Sequence, residues 1–117
     1  FLIKHTFKDN LYIPIGQSGW FRKGETRQYF DQQPEDAAAT TEASNTMFHV
    51  TKRGSYKELA YKTFNWFLGE NILGQVVYDW TTGGCYDGIG EKSINLNQGA
   101  ESSISYLLAR FSFENQY

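Results

Sequence analysis

Three short stretches of the 117-residue chain concentrate side chains that could do chemistry: "FDQQPED" at 30–36, "YDWTTGGCYDG" at 78–88 and "NQGAES" at 97–102. The first holds Asp31, Gln32, Gln33, Glu35 and Asp36. Carboxylates beside amides suit a hydroxyl-rich ligand, because together they accept and donate several hydrogen bonds at once. The same residues at a helix start would also cap it and oppose its macrodipole. Both readings stay open, although two amides beside Asp31 exceed what one cap needs. In the third stretch, Asn97, Gln98 and Glu101 open another helix, and Gly99 allows a backbone or ligand to come close. Glu101 is either a dipole partner or a general acid/base in a cleft.

The middle stretch sets Asp79 and Asp87 on a glycine-rich loop around Cys85, the only cysteine. No phosphate-loop lysine follows, which argues against a nucleotide cradle. Two aspartates supply too few oxygens for calcium, and one cysteine is a poor start for a zinc site, so neither metal nor cofactor is expected. Cys85 reads as a buried structural thiol. A nucleophilic Cys85 would need a base, and nothing in the sequence brings His5 or His49 to it.

Composition narrows the classes. A net charge of −2 offers no basic footprint, so nucleic acid is not an expected partner. No apolar run approaches the roughly 20 residues that cross a bilayer, so no membrane is expected. The lone cysteine favours a reducing, cytoplasmic compartment. Three Trp, eight Tyr and nine Phe supply either a ring-rich core or flat faces for stacking on sugars. The chain opens at Phe1 without methionine, which reads as a fragment or a chain trimmed upstream.

These residues need elements to position them. Residues 1–32 lack helical periodicity and read as β-like or loop. The alternation over 2–8 suggests a strand, and Asp9-Asn10 a turn. Residues 33–117 read as helical. Pro34 fits a first helical turn, and Ala39, Ala43, Thr46, Met47 and Val50 form one face. Gly54 breaks that helix. Ser55 and Glu58 form a capping box for a second one, with Tyr56, Leu59, Ala60, Thr63, Phe64 and Phe67 inward and Gly69 at its end. Residues 70–97 form a long connector. A third helix follows "NQGAES", with Ala100, Ile104, Leu107, Leu108 and Phe111 as its inner stripe. The second helix runs back between the first and third, so those two can start at the same end. Asp31, Asp36, Asp87 and Glu101 would then gather there, in a cleft lined by Trp20, Tyr86 or Trp80. Paired carboxylates in such a cleft are what glycosidic chemistry uses.

In order and spacing, "GWFRKG", "FDQQPEDAAAT", "YKTFNWFLGEN", "YDWTTGGCYDG" and "NQGAESSISYLLAR" resemble the last portion of a helical domain at the C-terminal end of bacterial group 1 (retaining) glycosyltransferase-type proteins. Such domains look like the α/α toroid of six-hairpin glycosidases. The resemblance covers nearly the whole chain. It implies a mainly α fold, a partial toroid of one αα-hairpin plus a third helix after a β-like lead-in. It also implies a glycan or sugar ligand, with the nucleotide-sugar-binding part of the parent chain upstream. After "FDQQP" the family shows a hydrophobic residue and then Glu; here Glu35 and Asp36 stand there. The expected function is a carbohydrate-active module, with a non-catalytic glycan-binding or structural module as the alternative. Asp31, Asp87 and Glu101 are the candidate catalytic carboxylates. Gln32, Gln33, Asp36, Trp20, Tyr86, Asn97 and Gln98 are the candidate sugar contacts. Isolated from its parent, such a piece is expected to expose apolar surface, to self-associate and to be inactive alone.

Overall fold

The computed structural model describes residues 1–114; the last three residues of the expected 33–117 helical region lie outside it. The chain begins with a short helix α1 (Leu2–Thr6), then a two-residue hairpin of β1 (Phe7–Lys8) and β2 (Leu11–Tyr12). The expected strand over 2–8 is thus a helix over most of its length. Asp9 and Asn10, both at positive φ, make a tight turn that sets Phe7 opposite Tyr12 and Lys8 opposite Leu11. Beyond that pairing the Ile13 N–H still donates to Thr6 O at 2.7 Å, and Arg27 gathers the neighbouring carbonyls. Its guanidinium donates to His5 O at 2.6 Å, Ile13 O at 2.7 Å and Pro14 O at 2.6 Å. Arg27 is buried, and these carbonyls take the place of a carboxylate partner.

Helix α2 (Pro34–Thr51) starts with proline in its first turn, as its missing N–H favours. It ends at Lys52, which is left-handed at φ 59°, and not at Gly54. Helix α3 (Gly54–Phe64) therefore begins at Gly54 behind Arg53, and Ser55 lies inside it, where it cannot act as the cap. A 3₁₀ turn (Asn65–Leu68) continues α3, and Gly69 closes it at φ 109°, where a side chain would be strained. The connector 70–97 is built of two small antiparallel hairpins, β3 (Tyr78–Asp79) with β4 (Gly84–Cys85), and β5 (Gly88–Ile89) with β6 (Ile94–Asn95). Helix α4 (Ala100–Ser112) follows.

The protein is a compact, largely helical globule with α2 packed against both α3 and α4. The α3 stripe is inward as expected, with Ala60, Thr63, Phe64 and Phe67 buried. The α2 and α4 stripes are not. Ala39, Ala43, Thr46, Met47 and Val50 all lie on the surface, and Ala37, Ala38, Thr41, Ser44 and Asn45 are buried instead. On α4, Ile104, Leu107, Leu108 and Phe111 are exposed, while Ser102, Ser105, Tyr106 and Ala109 are buried. The reason is close approach. Small side chains let helix backbones come together, and their hydroxyls then cross-link the helices: the Thr41 and Thr63 hydroxyls are 2.9 Å apart, and Asn45 Nδ2 donates to Ser112 Oγ at 2.7 Å. The aromatic core lies where α3 and α4 meet the first connector hairpin. Tyr78 stacks on Tyr106 at 4.1 Å between centroids, and Phe64, Trp66 and Phe67 fill the space around them.

Candidate functional site

Helices α2 and α4 run parallel. Glu35 meets Glu101 near their N-termini, and further along both helices Asn45 meets Ser112. Between the two N-termini lies a polar cleft of about 410 Å³. Gln33, Pro34 and Glu35 line it from α2, Gly99, Ala100, Glu101 and Ser102 from α4, and Asp87 and Asn95 from the connector. The two helix starts are built alike. Each has one residue, Pro34 or Ala100, between the Ncap and the glutamate, so both carboxyls stand at the second helical position.

The Glu35 carboxyl is raised above its ordinary pKa. The hydrogen bond with the Glu101 carboxyl is the largest cause, followed by burial and by the negative charge of Glu101 and Asp36. Two carboxyls in contact cannot both ionise cheaply, so one keeps its proton to higher pH and donates it to the other. The positive helix ends on both sides moderate the repulsion. The pair offers several carboxyl oxygens as acceptors, and whichever proton it holds as a donor. It is closer than the roughly 5–9.5 Å that separates glycosidase carboxyl pairs. In this arrangement it is suited to holding a polar ligand more than to splitting a glycosidic bond.

Asp87 fixes one wall. Its Oδ1 accepts the Gly99 N–H at 2.7 Å and the Ser102 hydroxyl at 2.8 Å. Gly99 is the Ncap of α4 and has no side chain, and Asp87 ties its N–H to the first turn through the Ser102 hydroxyl, satisfying the Ncap N–H as the third-position glutamate of a capping box does. The Asp87 N–H is in turn held by Asn97 O at 2.8 Å. A Cβ on Gly99 would lie 2.9 Å from Asp87 Oδ1, so any larger residue there requires the Asp87 carboxylate to shift.

The other expected site residues are dispersed. Gln32 is wholly buried, accepting the Trp66 indole N–H at 2.9 Å and donating to Tyr29 O at 3.0 Å. Its backbone pairs with Ile89 in both directions, so Gln32 joins the α2 entrance to the second connector hairpin and to the core. Asp31 is exposed beside Gly90 and is not part of the cleft lining. Asp36 lines a separate apolar groove with Leu2, Ile3, Ala39, Ala43 and Met47, where burial raises its carboxyl and a bond from the Gln17 side chain opposes that. Trp20 projects from the 13–33 loop at positive φ. Asn97 is exposed. Gln98 and Tyr86 both turn to Asp79, at 2.9 and 3.3 Å from its Oδ2. Cys85 is buried, its thiol pushed up to about 12 by burial and then by the charge of Asp87. Among the described residues, no group of three or more His, Cys, Asp and Glu side chains comes together to hold a metal ion.

Glu35, read from the sequence as one member of the acidic and amide group at 30–36 and as a dipole partner, was not among the candidate site residues, and its pairing with Glu101 was missed. Its signal was the repeated arrangement of a glutamate at the second position of two helices expected to start together. No protein-family model matches the chain, and no curated protein matches it.

Proposed function

We propose that this chain is a carbohydrate-active module, the C-terminal part of a bacterial glycosyltransferase-type protein, and that it binds a glycan in the cleft between the α2 and α4 N-termini. The observation that carries the reading is the Glu35–Glu101 carboxyl pair. The two carboxyls in contact, flanked by the Gln33 and Asn95 amides, set acceptors beside donors, a match for the mixed hydrogen bonding of a sugar's hydroxyls. Asp87 acts here by holding the α4 entrance and with it Glu101.

The finer fold reading, a partial α/α toroid, draws on the apolar surface stripes of α2 and α4. Helices that present such stripes on their outer faces suit a ring in which further helices pack against them. The upstream part of the parent chain is the proposed source of those helices. The same stripes favour a second reading, a non-catalytic module that steadies its parent. Among the described residues, no helix is long and apolar enough to cross a membrane.

The test is calorimetric titration of the chain with neutral oligosaccharides, comparing wild type with Glu101→Gln and Glu35→Gln. Weaker binding with thermal stability nearly unchanged is the expected result for Glu101→Gln. Lower stability with unchanged sugar affinity would mean that the glutamate only serves the helix, and the cleft reading would fall.

A further inference from the structure

The first connector hairpin, β3–β4, carries the most exposed large apolar side chain among the described residues: Trp80, at 80%. An indole left in water on a flexible loop would mean little. This loop is held at every residue around the ring. Asp79 Oδ1 accepts the Thr81 N–H at 3.0 Å and the Thr81 hydroxyl at 2.6 Å. Its Oδ2 accepts from Gln98 Nε2 and from the Tyr86 hydroxyl. The Thr82 hydroxyl donates to Gln98 Oε1 at 2.9 Å, and the Gly83 N–H donates to Asp79 O at 2.8 Å. Gly84 is pinned against Gln98, since a Cβ there would collide with the Gln98 amide oxygen. Gln98 immediately precedes the Ncap of α4, so the hairpin is bolted to the entrance of the helix that presents Glu101.

We infer that Trp80 is a preorganised stacking platform for a pyranose ring, an additional contact for a glycan that reaches the Glu35–Glu101 cleft. The inference rests on the glycan reading of that cleft. The surroundings of the indole select a sugar over a protein partner. Protein-docking surfaces are contiguous apolar patches, as on α4, where Ile104, Leu107, Leu108 and Phe111 lie side by side. Trp80 instead belongs to a polar turn, its chain neighbours Asp79, Thr81 and Thr82 bonded to one another and to Gln98. A pyranose ring has the matching surface, an apolar C–H face edged by hydroxyls. Because Asp79 and Gln98 already fix the loop, little conformational freedom is lost on binding. Of the three aromatic residues expected to line the cleft, only Trp80 combines a free face with this anchorage. Tyr86 is half-buried, with its hydroxyl taken by Asp79, and Trp20 lies on the 13–33 loop, joined by backbone bonds to Gly16 and Gln28.

The experiment follows the three indole N–H signals by ¹H–¹⁵N NMR while the chain is titrated with neutral hexose oligosaccharides. Trp66, buried and bonded to Gln32, is the internal control. The expected result is a saturable shift of the Trp80 signal, with the Trp66 signal still. Trp80→Ala should weaken binding about three- to tenfold, Trp80→Phe should restore part of it, and neither should change the melting temperature appreciably. If oligosaccharides bind, Glu101→Gln weakens them and Trp80→Ala does not, the platform is overturned and the cleft reading stands. If Trp80→Ala weakens binding and Glu101→Gln does not, the platform stands and the cleft reading falls. If no oligosaccharide moves the Trp80 signal, the platform is overturned. If Trp80→Ala instead abolishes self-association seen by sedimentation, the indole is a protein contact and the inference is likewise overturned.

Discussion

Replacing Asp87 with alanine isolates the connection between the connector and α4. Two hydrogen bonds to a carboxylate are lost, from the Gly99 N–H at 2.7 Å and the Ser102 hydroxyl at 2.8 Å. Bonds to a charged group contribute roughly 1.5–3 kcal/mol each when their loss leaves a buried group unsatisfied. Water in the cleft can reach both freed donors, so the lower end applies and part of it is recovered. Loss of a helix cap alone costs about 0.5–2 kcal/mol. The expected destabilisation by Asp87→Ala is therefore about 2 kcal/mol, or roughly 8 °C in melting temperature for a chain of this size. Asp87→Asn keeps an acceptor and loses only the charge at the helix end, so its cost should be about 0.5–1 kcal/mol. The decisive comparison uses Gly99→Ala. The new Cβ would stand 2.9 Å from Asp87 Oδ1, so the carboxylate must move and give up its bonds. In the wild type that change should cost nearly as much as Asp87→Ala. In the Asp87→Ala background it should cost almost nothing, because φ at Gly99 is −70° and alanine adopts it freely. Urea unfolding of the four proteins gives the coupling directly. Additive costs, or an Asp87→Ala penalty below about 0.5 kcal/mol, would refute the capping role.

Glu35→Gln should stabilise the chain by a few tenths of a kcal/mol near pH 8 and not at all near pH 4, measured by urea unfolding at both. The sign follows from the raised Glu35 pKa: the stability carried by its proton is present at acid pH and is lost as pH rises through that pKa, whereas glutamine donates to Glu101 throughout. Cys85 should resist thiol reagents under native conditions, since its thiol is buried and pushed up to about 12; rapid labelling in the native state would contradict this. The outward α4 stripe should make the chain self-associate as concentration rises in analytical ultracentrifugation, and Ile104→Lys with Leu108→Lys should reduce it. A monomer at every concentration would count against that stripe as a packing face.

Local chemistry was legible wherever a few neighbouring residues decide the outcome. Pro34 marked the start of α2, Gly69 the end of the α3 extension, and Asp9-Asn10 the first turn. In each case the backbone preference belongs to the residue itself. The presence of three main helices followed from their 3.6-residue periodicity. What periodicity could not say was which face turns inward. On α2 and α4 the apolar stripes point to the surface, and a face of Ala, Ser and Thr lies inside. Only the third dimension revealed that these helices pack closely enough to need small side chains and hydroxyl cross-links. The same distinction separates the site residues. That acidic and amide groups precede both helices was plain from the sequence. Their separate employments were not: Gln32 in the core against Trp66, Asp87 as the cap of α4, Glu35 against Glu101. Each depends on a partner between 12 and 66 residues away, such as Gly99 for Asp87, 12 residues on, or Trp66 for Gln32, 34 residues on. Such partners are set by how the chain folds back, and no local preference encodes them.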